Sequence, residues 1–262
     1  MSFPRSPRPP RRSGSQAPPR HGVSRVISKA GLASRTQAAA WVREGRVSVG
    51  GRVVHDPEHP VRTGVDDVRV DGQPLGAAAR VYIALNKPRG LVTTASDEQG
   101  RDTVYRCFDG AGLPWLAPVG RLDQASEGLL LFSNDPAWAA GITDPERGPD
   151  KTYRVQVDGV PDPSALAKMV AGIDVDSDAA GKGHGERLSA KAVTLLKSGG
   201  KTAWLEIVLD EGKNRQIRRL CKAAGFPVLR LVRVAIGGLA LGELPKGGWR
   251  HLTPEEVDAL RG

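Results

Sequence analysis

Short apolar runs separated by turn-forming residues recur from Val81 onward: Val81–Leu85, Leu129–Phe132, Val193–Leu196, Ala203–Leu209 and Val228–Ile236. Tyr153, Val155 and Val157 alternate with polar neighbours, and Ser198-Gly199-Gly200 offers a tight turn between two of the runs. Such runs read as strands, and short turns favour antiparallel pairing. Helical spacing is confined to Leu166–Val170 after Pro163, to a basic stretch Asn214–Ala224 with Ile217, Leu220 and Cys221 on one face, and to Pro254–Leu260. Strands therefore outnumber helices. The expected architecture of residues 81–254 is α+β, a mixed and mainly antiparallel sheet with flanking helices, closed by a C-terminal helix at 255–262.

Residues 21–72 read as a separate, smaller α+β module. Val23, Val26, Ile27 and Ala30 have helical spacing that stops at Gly31. Ser34 can cap a second helix carrying Ala38, Trp41 and Val42. Arg46–Val49 and Arg52–Val54 flank Gly50-Gly51, a hairpin signal, and Val68–Val70 adds a strand. Residues 73–80 read as a linker. Residues 1–20 are Pro, Arg and Ser with almost nothing to bury, which predicts a disordered basic tail.

The chain carries 38 basic and 29 acidic residues, a net charge of +9. Residues 1–20 hold five arginines and no acid, and residues 21–52 hold six cations against Glu44, so the rest is close to neutral. A cationic N-terminal part points to a polyanion, most often nucleic acid. Two cysteines, Cys107 and Cys221, make neither a disulfide framework nor a zinc site, and fit a reducing compartment. No apolar stretch is long enough for a membrane span, and the N-terminus has no apolar signal segment. The expectation is a cytoplasmic protein. His55 and His59 flank prolines in a loop and do not suggest a metal site. Asp174-x-Asp176-x-Asp178 fails the calcium-loop pattern at Ala179 and Gly185, and residues 181–185 lack the strand and helix of a phosphate loop. No metal and no nucleotide cofactor is expected.

Two segments stand out. Gly120-Arg121-Leu122-Asp123 leads through Ser126-Glu127-Gly128 into an apolar run, and Glu211–Leu220 is dense in cations. Taken singly, the aspartate reads as a turn residue and the cations as a solvated face. Together with Asn86-Lys87-Pro88-x-Gly90, Lys151-Thr152-Tyr153 and Leu231-x-Arg233, and in this order, they resemble the motifs of RNA pseudouridine synthases, in the branch that modifies ribosomal RNA. Residues 23–54 are similar to the S-four RNA-binding domain that precedes the catalytic domain there.

The resemblance implies a fold with a catalytic domain over 81–254 and a cofactor-free isomerase that turns a uridine into pseudouridine. It implies that Asp123 is the essential carboxylate, that Tyr153 stacks on the target base, and that Arg218 forms an ion pair with Asp123. RNA would be held by Arg25, Lys29, Ser34, Arg35, Arg43 and Arg46, with Arg121 holding the loop or a phosphate. The closing Leu244-Pro245-x-Gly247-x-Trp249-Arg250 leans toward large-subunit ribosomal RNA, and the expected state is a monomer with no membrane association. The alternatives are a non-catalytic ribosome-assembly factor and an isomerase acting on transfer RNA. The chain departs from the pattern in having Gly50-Gly51 at the hairpin turn, no acid at Gln124-Ala125, and arginine rather than lysine at 218.

Overall fold

The computed structural model describes residues 19–76, 78–95, 97–175 and 185–261. Residues 1–18 of the expected disordered tail and residues 176–184 of the Asp- and Gly-rich loop lie outside these; Arg20, read as the end of that tail, instead pairs with Arg62 in a short strand, and the two ends of the loop pair with each other from Ile173 to Leu188. The chain divides into two compact units with a boundary after Gly76, the turn Lys29–Ser34 being grouped with the second.

The first unit contains β1 (Arg20–Gly22), α1 (Val23–Lys29), α2 (Arg35–Arg43), β2 (Val47–Val49), β3 (Arg52–Val53), β4 (Pro60–Arg62), β5 (Val68–Val70) and β6 (Gln73–Pro74). The four-stranded sheet has the order β3-β2-β5-β6, and β1 pairs with β4. Gly50 and Gly51 both have positive φ, so the pair supplies the left-handed turn that the β2–β3 hairpin requires. The expected linker at 73–80 begins inside this sheet: Val70 pairs with Gln73 and Arg69 with Pro74. Asp71-Gly72, both at positive φ, makes another tight hairpin, which the reading of 73–80 as a linker overlooked.

The second unit runs through β7 (Tyr82–Lys87), a 3-10 turn at Val104–Phe108, β8 (Ala117–Val119), β9 (Glu127–Ser133), α3 (Pro136–Thr143), β10 (Lys151–Asp158), α4 (Pro163–Ala171), β11 (Ile173–Val175), β12 (Glu186–Leu188), β13 (Ala192–Ser198), β14 (Thr202–Leu209), α5 (Gln216–Ala223), β15 (Val228–Ile236), β16 (Leu239–Ala240), β17 (Trp249–His251) and α6 (Pro254–Ala259). Its main sheet has the order β13-β14-β10-β15-β9-β7-β17, with β8 on β9 and β16 on β15. Among the described residues only β9 and β15 pair in parallel there, so the sheet is mixed and mainly antiparallel, as expected.

Burial explains the strand sequences. Every residue of β9 is buried, so its stretch Leu129–Phe132 is continuously apolar rather than alternating. Leu129 and Leu131 pack with Trp138 and Ile142 of α3, Val257 of α6 and Leu260 just after it, whereas Leu130 and Phe132 join Ile83, Leu85 and Leu122. In β14 burial alternates, and Leu205, Ile207 and Leu209 pack with Val155, Met169, Ile217 and Leu220. Three helices start alike. Asp135, Asp162 and Thr253 accept hydrogen bonds from the exposed amides of the first turn, and a proline follows each, where its missing N–H costs nothing. No helix among the described residues is long and apolar enough to cross a membrane.

Candidate active site

The loop Gly120–Ser126 enters β9 at the centre of the sheet. Gly128 stands in a register row that crosses five neighbouring strands: Lys87, Gly128, Arg233, Tyr153 and Ile207 are successive partners. A β-carbon added at Gly128, whose φ is +104°, would run into the backbone carbonyl of Arg233. The glycine therefore lets β15 close on β9 where the loop begins.

Asp123, Tyr153 and Arg218 come from a loop, a strand and a helix, and they line one cavity of about 540 Å³. That volume is in the range of small-molecule sites. Arg121, Lys151, Arg215 and Arg233 line it too. The loop is pinned from below. Lys87, fully buried, donates from Nζ to the carbonyls of Ser126 (2.9 Å) and Pro88 (3.1 Å). Burial pushes its ammonium down to about 8, against the opposing pull of Asp123. Ser126 N donates to Asp123 O, Gly90 N donates to Gln124 O, and Thr93 Oγ1 donates to Leu122 O. Glu127, almost fully buried, accepts both a two-pronged contact from Arg230 (2.9 and 3.1 Å) and a contact from Lys246 (2.8 Å).

The expected ion pair between Arg218 and Asp123 is not formed. Arg215 Nη1 is the cation near Asp123 Oδ2, at 3.7 Å, and the Asp123 side chain keeps 40 % of its exposure. Arg218 Nη2 instead donates to the carbonyl of Ala125 (3.1 Å) and approaches Ser126 Oγ (3.5 Å), while its Nε is buried without a partner. Burial, then the neighbouring Arg215, disfavour its charge; Asp123 favours it. The reason lies one turn earlier. Helix α5 begins at Gln216 rather than Asn214, and Arg215 is held at φ +47°. The buried Gln216 amide closes the preceding loop, donating to Glu211 Oε1 (2.6 Å) and Ser189 O (2.9 Å) and accepting from Lys213 N (3.1 Å). The left-handed kink swings Arg215 toward Asp123 and leaves Arg218 to grip the loop.

The RNA-binding residues named from the sequence lie on the first two helices and their flanks. Arg25, Lys29 and Arg43 are exposed and form no ion pair among the described residues. Arg35 is paired with Glu58 at 2.9 Å. Arg46 is held by Asp71 through two contacts (2.9 and 2.6 Å), and its guanidinium lies over Trp41. That arrangement makes Arg46 a brace of the small sheet. Ser34 stands at the start of α2. The sequence reading named none of Lys87, Arg215, Glu127 or Arg233 as site residues. The available signal was a charge inside or at the end of an apolar run, at Lys87 and Arg233, where burial forces it to be bonded or functional.

A family model described as RNA pseudouridylate synthase matches residues 81–223, and one described as S4 domain matches residues 23–67. The chain is 37 % identical over 241 residues to ribosomal large subunit pseudouridine synthase B of Bacillus subtilis, covering 91 % of this chain and 95 % of that one. It is 33 % identical over 247 residues to the protein of that name from Salmonella typhimurium, covering 92 % and 82 %. A solved structure described as pseudouridylate synthase is similar with a TM-score of 0.62 and 28 % identity, covering 92 % of this chain and 99 % of that one.

Proposed function

The chain belongs to the RNA pseudouridine synthase family and carries an S4 domain ahead of the synthase part, and from that premise we propose that it converts a uridine of large-subunit ribosomal RNA into pseudouridine, with Asp123 as the acting carboxylate. The observation that carries the reading is the meeting of Asp123, Tyr153 and Arg218 in one cavity at the centre of the sheet. The name shared by the Bacillus and Salmonella relatives supports the choice of RNA.

A target uridine must leave its stack to reach this cavity, and a flat ring at Tyr153 can hold the base face while it detaches and turns. Asp123 faces the ribose or the base as an anion, either to form a bond or to take a proton. Arg215 supplies the counter-charge beside it. Arg218 positions the loop through Ala125 and Ser126, so it acts on the carboxylate through the backbone. The reaction rearranges one nucleotide and conserves every atom, so it needs no co-reactant by stoichiometry. Arg25, Lys29 and Arg43 contribute phosphate contacts that anchor structured RNA without reading base edges. The protein works in the cytoplasm, as a monomer.

The test is a pseudouridine map of ribosomal RNA from a strain lacking this chain. One or a few large-subunit uridines should lose the modification and regain it when the gene is restored. A map unchanged in ribosomal RNA but altered in transfer RNA would reassign the substrate.

A further inference from the structure

Arg233 sits in the middle of β15 and is 5 % exposed. Its Nε donates to the carbonyl of Leu129 at 2.7 Å, which fixes the plane of the guanidinium. Its Nη2 is buried and has no hydrogen-bond partner, and Arg233 is among the residues lining the cavity that holds Asp123 and Tyr153. No carboxylate lies within ion-pair distance of it among the described residues. The charge nearby has the same sign: Lys151 lines the same cavity, and its ammonium is lowered first by burial and then by Arg233. A buried cation with an idle donor is costly unless something else completes it. Its sheet neighbour is Tyr153, its register partner on β10, so the two side chains rise side by side from one face.

Resting on the functional reading above, we infer that Arg233 is a further catalytic residue, whose guanidinium donates to a carbonyl oxygen of the target uracil and stabilises the base while it is detached. When the glycosidic bond breaks, its electron pair stays on N1 and the negative charge spreads over the ring to O2 and O4. A fixed guanidinium beside the stacking ring meets that charge as it develops. When C5 bonds to the ribose carbon, C5 loses a proton and N1 gains one, so no proton or electron is consumed. A preorganised donor aimed at developing charge is worth more than one made equally in the ground state. The Nε bond to Leu129 supplies the preorganisation, and Gly128, by letting β15 close on β9, places the side chain.

The experiment compares wild type with Arg233→Gln on ribosomal RNA transcripts carrying uridine, 2-thiouridine or 4-thiouridine at the modified position. Sulfur is a poor acceptor, so replacing the contacted oxygen should slow the wild type by about tenfold at one of the two positions. Arg233→Gln should be slower on plain uridine by about a hundredfold or more, bind the transcript within about twofold of wild type, and show no penalty at that same sulfur. Arg233→Lys, which keeps a cation, should recover part of the rate, and Arg233→Met, which keeps the apolar stem without a donor, carries the sulfur comparison if the glutamine variant does not fold. An equal sulfur penalty in wild type and variant, or none in wild type at either position, would overturn the role of Arg233 while leaving pseudouridine formation intact. Wild type making no pseudouridine on plain uridine would instead overturn the functional reading, and this inference with it.

Discussion

Lys87 and Tyr153 mark the two ends of the residue scale, one holding the loop and the other lining the cavity. The Lys87 ammonium is fully buried and lowered by that burial from 10.5 to about 8. Between those values the unfolded chain binds a proton that the folded chain has shed, so this group makes stability rise as pH rises from about 8 to 10.5. Lys87→Met keeps the apolar stem and removes the titration. The stability of wild type relative to the methionine variant should therefore increase across that window by on the order of 2 kcal/mol, read from urea midpoints at both ends. A difference that stays constant with pH would contradict it. At Tyr153, phenylalanine keeps the stacking face and alanine does not. Tyr153→Phe should bind substrate RNA nearly as wild type does, and Tyr153→Ala should lose most activity. Wild-type turnover by the alanine variant would remove Tyr153 from the site. Tyr153 was legible in the sequence through its alternation with Val155 and Val157 and its motif. The function of Lys87 was not, because a charge at the end of an apolar run does not reveal what it bonds to.

At the scale of elements, the loop, β9 and α5 form one device. Gly128→Ala would force a side chain into the Arg233 carbonyl at a φ that L residues rarely adopt. It should cost on the order of 3 kcal/mol or prevent folding, as thermal unfolding would show. Arg218→Ala removes the grip on Ala125, and Arg215→Ala removes the counter-charge. Both should lower the rate of pseudouridine formation, and Arg218→Lys should not fully restore it, because a point cation cannot keep the planar geometry of the grip. Full recovery by lysine, measured in single-turnover assays, would return Arg218 to the simple ion-pair role implied by the sequence. The strands from β9 onward were legible because burial writes itself as continuous or alternating apolar residues. The start of α5 was missed by two residues, since the Gln216 bonds that kink the chain at Arg215 join segments distant in sequence. The helix α3 was missed although Asp135-Pro136 carried its start signal, the same signal that Pro163 gave for α4.

Across the whole chain, the excess of positive charge falls in residues 1–52, ahead of the part matched by the synthase model. Arg25, Lys29 and Arg43 are exposed cations of the part matched by the S4 domain model, within the cationic stretch of residues 21–52. Replacing all three with alanine should weaken RNA binding and make its salt dependence shallower, by up to about 2 in the slope of log affinity against log salt. Equal slopes would show that the anchoring lies elsewhere. The two-part organisation was legible from this charge split and from the hairpin signal at Gly50-Gly51, whereas the strand at Gln73–Pro74 was hidden by a proline at a sheet edge. The measurement that bears most directly on the whole account is pseudouridine formation by purified Asp123→Asn on ribosomal RNA, read by carbodiimide-stop mapping beside a binding assay. Asparagine keeps the size and the hydrogen bonds of the side chain but cannot act as an anion, so the variant should bind RNA about as well as wild type and form no product. Substantial pseudouridine from that variant would contradict a carboxylate mechanism at Asp123.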